Sequence, residues 1–342
     1  MNTILQVISD TNIGGGGRSL LNYLSCQDRS QFQSQVVLPR GSALKGPVEA
    51  LGVPVHEIDA MADRSMDLSA VAPLRRVIRA VDPDLVHTHG SMSARMAARL
   101  CGKKVIYTKH CVFPLGRVMG SPVGRLAMTV GEIIEEPMLV HNMYDRAKRQ
   151  ERVRELLLQS GVPDRKIHVL FNGVAPLAAP TEEERTALRA EYGFGPEDFV
   201  VGILARVEEY KGHSVLLDAA EQLLSQGRRV KVLVAGEGSA EAALRLRAVS
   251  FPQGTVFFAG FIERVERALW AMDAQINAST ESEGTSLSLL EGMSFGLPAV
   301  VSDIGGNPLL IQDGENGLVF PNRDSRALAG CVARLMDDPA LL

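Results

Sequence analysis

The chain has 342 residues, 46% of them hydrophobic and 22% charged, with a formal net charge of −4. That length at near-average composition suits two domains that each bury a core, and it excludes a disordered or fibrous chain. The longest apolar runs, such as Val230 to Ala235 and Phe295 to Val301, fall far short of the roughly 20 residues that a membrane span needs.

Met1-Asn2-Thr3-Ile4-Leu5 leads straight into a strand-like stretch, with neither a basic leader nor an apolar signal core, so a cytoplasmic protein is expected. Cys26, Cys101, Cys111 and Cys331 form no CxxC pair and no zinc spacing, which argues for small buried apolar residues rather than disulfides or a structural metal. The charge is unevenly spread. Residues 1–173 hold 22 basic and 16 acidic side chains, whereas residues 174–342 hold 14 and 24. From Leu85 to Gly131 there are seven basic residues and no acid, so the two halves are expected to face different partners. No nucleic-acid partner is expected.

In chain order, short β-rich runs alternate with amphipathic stretches. The first half reads as a strand at Ile4–Ser9, a helix from about Arg18 to Leu24, a strand at Ser34–Leu38 and a helix near Leu74–Val81. It continues with a strand at Leu85–His89, a helix near Ser93–Leu100 and a strand at Val105–Thr108. The second half restarts the pattern with strands at Phe199–Ala205, Lys231–Ala235, Val256–Phe258, Ala274–Asn277 and Ala299–Val301. Helices are read at Ser214–Leu224, Ala240–Val249, Arg264–Met272 and Ser286–Phe295. This alternation is the signature of parallel sheets with helices on both faces. The Pro/Ala-rich segment Asn172 to Pro180 reads as a linker, giving domains 1–173 and 174–342.

Glycines follow the first strand in Thr11-Asn12-Ile13-Gly14-Gly15-Gly16-Gly17-Arg18-Ser19. They would let a ligand approach the backbone, with free amides at the helix start favouring an anion, although a flexible turn fits too. The third glycine of a dinucleotide fingerprint is missing, and no G-x-x-x-x-G-K-[ST] run exists. His87 and His89 share one side of a strand. They fit either the paired histidines of a metal hydrolase or a structural pair, and the lack of a second His/Asp cluster favours the latter.

Arg206 follows a strand, with Lys211-Gly212 five residues on. A guanidinium fork and an ammonium point charge at a strand end suit a diphosphate, and the alternative is a solvated surface pair. Glu283 precedes a helix and Glu291 lies inside it, about 12 Å apart at helical rise. This is too far for the paired carboxylates of a glycosidase. It suits one acid at a reacting sugar and another on a nucleoside, or else a capping acid and an unrelated helix acid.

Taken together, these residues resemble the retaining glycosyltransferases of family 4 (glycosyl transferases group 1). The most specific likeness is Glu283-x7-Glu291 followed by Gly296-Leu297-Pro298-Ala299-Val300-Val301. Arg206…Lys211-Gly212, Val234-Ala235-Gly236-Glu237-Gly238, Gly314-Glu315-Asn316-Gly317-Leu318-Val319, Gly14–Gly17 and Asn172-Gly173-Val174 also match. The resemblance covers nearly the whole chain. It implies an α/β protein of GT-B architecture, with two Rossmann-like doubly wound domains facing across a cleft, the first on the acceptor side and the second holding the donor.

The implied reaction is hexosyl transfer from a nucleotide-diphosphate sugar, UDP-sugar favoured, to a glycan or lipid-linked acceptor with retention. No catalytic metal or other cofactor is expected, the nucleotide-sugar being a co-substrate. By resemblance, Arg206 and Lys211 hold the diphosphate, Glu291 the ribose and Glu283 the sugar. The amides of Gly284, Thr285 and Ser286 face the sugar and phosphates, Gly15 and Gly16 approach the phosphates, and His110 lies beside the sugar, unless it is an ordinary buried histidine. A non-catalytic sugar-nucleotide-binding subunit and a GT-B epimerase are the alternatives.

Three departures stand out. Ala175 replaces the usual acid after Asn-Gly-Val, and Glu132–Arg149 matches the family pattern poorly. The sequence also stops at Leu342, where relatives continue into a helix crossing back to the first domain. The acid-free stretch, with Val112 to Gly120 beside His110, suggests contact with an anionic membrane surface or lipid-linked phosphate on the inner membrane face. Polysaccharide synthesis for the cell envelope would follow from that setting.

Overall fold

The computed structural model describes residues 1–109, 138–141, 164–170, 173–281, 283–284 and 286–338. Two compact units result, Met1–Asn172 and Gly173–Leu342, one residue from the boundary read in the linker.

The first unit is a seven-stranded, fully parallel sheet in the order β3-β2-β1-β4-β5-β6-β7. Its strands are β1 (Asn2–Ile8), β2 (Phe32–Pro39), β3 (Val55–Ile58), β4 (Leu85–His89), β5 (Lys104–Lys109), β6 (Met138–His141) and β7 (Ile167–Leu170). Helices α1 (Gly15–Cys26), α2 (Lys45–Ala50), α3 (Val71–Val81) and α4 (Met92–Leu100) are the described crossovers. Side chains alternate across the sheet. Leu5 and Val7 of β1 join Leu74, Ile78, Ala94 and Ala97 from α3 and α4 on one face. Ile8 joins Leu20, Leu24, Leu44 and Val48 from α1 and α2 on the other. Both faces are therefore dry, as a parallel sheet requires.

Helix α1 starts at Gly15, not near Arg18 as the sequence suggests. Gly14 is its N-cap and Gly15 to Gly17 form its first turn. Helical propensity misjudges this start because the preceding strand and the packing of Leu20 and Leu24 fix the helix axis. The poorly matching stretch Glu132–Arg149 contributes β6, and its remaining residues lie outside the described set.

The second unit repeats the design with six parallel strands in the order β10-β9-β8-β11-β12-β13. They are β8 (Phe199–Leu204), β9 (Val230–Ala235), β10 (Val256–Gly260), β11 (Ala274–Asn277), β12 (Ala299–Ser302) and β13 (Leu318–Phe320). The helices are α5 (Glu182–Glu191), α6 (His213–Ser225), α7 (Glu241–Ala248), α8 (Glu266–Ala271), α9 (Leu287–Met293), α10 (Asn307–Leu310) and α11 (Ser325–Asp337). Sequence reading passes over α5, although Thr181-x-x-Glu184 is a complete capping box. Thr181 Oγ1 accepts from the Glu184 amide at 3.2 Å, and the Glu184 carboxylate accepts from the Thr181 amide at 2.8 Å. Helices α6 and α11 pack on one face through Leu216, Ala220, Leu223, Leu328 and Val332. On the opposite face, Phe194, Leu269 and Leu297 close the core.

A partly buried charge cluster ties α5 to this sheet. Asp273, one residue before β11, takes Arg185 at 2.5 Å, Arg189 at 3.1 Å and the Val200 amide at 2.7 Å. It joins the helix to the bases of β8 and β11.

Candidate functional site

In an open parallel sheet, the place where the strand order reverses leaves a crevice at the carboxyl ends of the strands. In the second unit, β8 leads to β9 and β10 on one side and β11 leads to β12 and β13 on the other. The reversal therefore lies between β8 and β11. The loops leaving these two strands carry Arg206, Lys211 and Glu283.

Contacts between the two loops are close. The Thr280 amide donates to the Tyr210 carbonyl at 2.8 Å. Gly212 has φ 74°, and a Cβ there would sit 1.8 Å from the Ala278 carbonyl oxygen. Only glycine accommodates both the left-handed backbone and that approach. The result is an ion pair between residues 72 apart in sequence, with Lys211 Nζ 2.8 Å from Glu283 Oε2. Its side chains are 19% and 8% exposed.

The same Glu283 oxygen accepts from Ser279 Oγ at 2.5 Å and Asn277 Nδ2 at 3.4 Å. Behind them, Ser302 Oγ donates to the Ser279 carbonyl at 2.7 Å, and Asn307 Nδ2 lies within 3.4 Å of Asn277 Oδ1 and 3.3 Å of Ser302 Oγ. The backbone around Glu283 is held as well. Gly306 donates to its carbonyl at 3.3 Å, and a Cβ on Gly305 would come 2.2 Å from the same oxygen. Such a network fixes the carboxylate before any ligand arrives.

Arg206 is exposed beside this pair, and its Nη2 donates to the Tyr210 hydroxyl at 2.5 Å. The loop after β9 supports it, with the Val207 amide donating to the Glu237 carbonyl at 2.9 Å. Next in the chain, His213 opens α6 and is 2% exposed, without a well-formed hydrogen bond at either ring nitrogen. Burial, and then the Lys211 ammonium, push its pKa down to about 4, with the Glu208 carbonyl pulling weakly the other way. A neutral imidazole therefore flanks the cationic loop at neutral pH.

Ser286 caps α9, its hydroxyl accepting from the Leu289 amide at 3.3 Å, and the helix runs only to Met293 rather than to Phe295. Glu291 is buried in that helix, 8% exposed. Gly284 lies in the approach to α9, while Thr285 and His110 fall outside the described residues. Sequence reasoning singled out Arg206, Lys211, Glu283, Ser286 and Glu291 but missed Tyr210, Ser279, Asn277 and Asn307. Polar residues at the carboxyl end of an apolar strand, as in Asn277-Ala278-Ser279, were the available signal.

In the first unit the reversal lies between β1 and β4. The Gly15 and Gly16 turn follows β1 there, and Thr11 anchors the loop through its amide to Asp63 Oδ1 at 2.9 Å. His87 and His89 are committed elsewhere: His87 Nε2 is 2.6 Å from Thr108 Oγ1 and His89 Nε2 is 2.9 Å from Gln6 Oε1. Among the described residues no group of three or more His, Cys, Asp or Glu is placed to hold a metal, so the paired-histidine metal hydrolase finds no support there.

Fold and site together define a protein of two doubly wound α/β units, the second with an ion-paired, cation-rich carboxyl edge. The chain belongs to the family 4 glycosyltransferases of group 1, and its architecture is GT-B. The Glycosyltransferase Family 4 model matches residues 13–176 and the Glycosyl transferases group 1 model matches residues 198–338. It is 29% identical over 294 residues to the Bacillus subtilis protein EpsD, named as a glycosyltransferase, covering 80% of this chain and 73% of that one. It is 26% identical to the D-inositol 3-phosphate glycosyltransferase of Jonesia denitrificans, covering 75% of this chain and 64% of that one. Among solved structures, Anabaena HepE in complex with UDP and glucose superposes with a TM-score of 0.83 at 20% identity, over 100% of this chain and 91% of that one. Sucrose-phosphate synthase from Thermosynechococcus elongatus gives 0.73 at 16% identity, over 99% and 91%.

Proposed function

We propose that this glycosyltransferase moves a hexosyl group from a nucleotide-diphosphate sugar, UDP-sugar favoured, to a glycan or lipid-linked acceptor with retention of configuration. The observation that carries the reading is the Lys211–Glu283 pair at 2.8 Å in the switch-point crevice, with Arg206 alongside. As the glycosidic bond breaks, negative charge builds on the departing diphosphate, and Lys211 and Arg206 oppose it. Lys211 uses one of its three N–H donors on Glu283, leaving the others for phosphate oxygens. Because the two cations supply this charge, the reaction is proposed without a catalytic metal.

Glu283 Oε2 receives Lys211, Ser279 and Asn277, which leaves Oε1 for the hydroxyls of the donor sugar. By the family resemblance Glu291 would take the ribose, and the amides of Gly284, Thr285 and Ser286 would meet the sugar and phosphates. The family resemblance further assigns His110 a role toward the donor sugar, and Gly15 and Gly16 a role toward the phosphates. HepE, solved with UDP and glucose, supports the UDP-sugar preference. The acid-free stretch Leu85 to Gly131 supports peripheral attachment to an anionic membrane surface. Among the described residues no helix is long and apolar enough to cross a membrane.

The test is nucleotide release by the purified chain from UDP-, GDP- and ADP-sugars, with product analysis in the presence and absence of acceptor. Transfer to acceptor with the donor's anomeric configuration is expected. An isomeric sugar nucleotide formed without acceptor would instead identify an epimerase, and no binding of any donor would overturn the reading.

A further inference from the structure

Tyr210 joins three parts of the second unit's carboxyl edge. Its hydroxyl accepts from Arg206 Nη2 at 2.5 Å. Its ring centroid lies 5.5 Å from the Lys211 ammonium. Its carbonyl accepts from the Thr280 amide at 2.8 Å and from Thr280 Oγ1 at 3.4 Å, in the loop that leads to Glu283. The tyrosine is half-buried, whereas Arg206 is exposed.

An exposed arginine normally samples many rotamers, and ordering it when a ligand binds opposes association. The single turn Glu209–Lys211 places Tyr210 four residues after Arg206, where its rigid ring, with only two side-chain torsions, can hold the guanidinium. That contact occupies one of five N–H donors and leaves the rest of the fork for an anion. The hydroxyl accepts in this bond and keeps its own proton to donate.

We infer that Tyr210 is a positioning residue that pre-orders Arg206, beside Lys211, for the diphosphate of the donor. The inference rests on the donor reading of the same loop. Tyr210 acts through Arg206, and its backbone contact with Thr280 is independent of its hydroxyl. Removal of the hydroxyl alone therefore disturbs the arginine while leaving the junction of the two loops intact.

The experiment is a double-mutant cycle on the full chain with Tyr210→Phe, Arg206→Ala and the double variant. It reads the affinity for UDP, with GDP and ADP in parallel, and the melting temperature of each protein. Tyr210→Phe is expected to weaken nucleotide binding about three- to tenfold, the scale of ordering one side chain. It should leave the melting temperature unchanged and add no further loss in the Arg206→Ala background. Wild-type affinity in Tyr210→Phe, or an equal loss in both backgrounds, would overturn the positioning role while the donor reading stands. Failure of the wild-type chain itself to bind any of the three nucleotides would overturn the donor reading, and this inference with it.

Discussion

Lys211→Ala separates the structural from the chemical work of the switch-point ion pair. At 2.8 Å and an effective dielectric of about 20, the gross attraction is about 6 kcal/mol. Desolvation offsets much of that, and removing one partner of a buried pair typically costs about 3–5 kcal/mol. With Lys211 19% exposed and Glu283 still held by Ser279 and Asn277, the lower figure applies. A loss of about 3 kcal/mol lowers the melting temperature of a unit this size by roughly 6–12 °C. Loss of a charge-assisted bond to the diphosphate, worth about 1.5–3 kcal/mol, weakens UDP binding by roughly ten- to 150-fold. Adding Glu283→Gln removes the orphaned carboxylate, so the double variant is expected to regain most of the stability but not the affinity. Thermal unfolding and calorimetric titration with UDP read the two effects apart. Wild-type stability and affinity in Lys211→Ala would refute the reasoning. Full recovery of UDP binding in the double variant would show that the lysine serves only to neutralise Glu283.

Three further expectations follow from the packing. Asp273→Ala strands the Arg185 and Arg189 guanidiniums and the Val200 amide; it should cost about 3–5 kcal/mol in urea unfolding, and a loss below about 1 kcal/mol would show that the cluster adds little. His213 has a folded pKa of about 4 against 6.5 when unperturbed, so the unfolded chain binds the extra proton between those values. The stability of the neutral ring is present in full above pH 6.5 and is lost as pH falls toward 4, by up to about 3 kcal/mol. His213→Leu should flatten that part of the stability profile, and an unchanged slope would count against burial as the cause. Gly212→Ala should fail to fold or lose more than about 3 kcal/mol, because its Cβ would meet the Ala278 carbonyl at 1.8 Å. Gly314→Ala, left-handed at φ 79° but facing open space, should lose only about 1 kcal/mol, both measured by chemical denaturation.

The two α/β units, the Pro/Ala-rich segment between them and the types of residue suited to a diphosphate are legible in the amino-acid sequence alone. Those signals are local: short continuous apolar runs for strands, amphipathic stretches for helices, and charged residues just beyond the apolar runs. Strand β8 is legible within a residue of its ends because its core is short and uniformly apolar, and β11 is legible although Gln275 and Asn277 interrupt its apolar residues. Helix α5 was legible in principle through its capping box, but its polar composition hid its period.

The pairing inside the site was not legible. Lys211 and Glu283 meet only because β11 returns to lie beside β8 after β9 and β10 have filled the other side. Strand order rests on contacts between segments some 70 residues apart, and no local pattern encodes them. The same holds for Asp273 with Arg185 and Arg189, and for the Tyr210 carbonyl with the Thr280 amide. The sequence supplied the cations and the acid. Tertiary structure decided which of them touch, because only the switch point of the sheet brings the ends of β8 and β11 into one crevice.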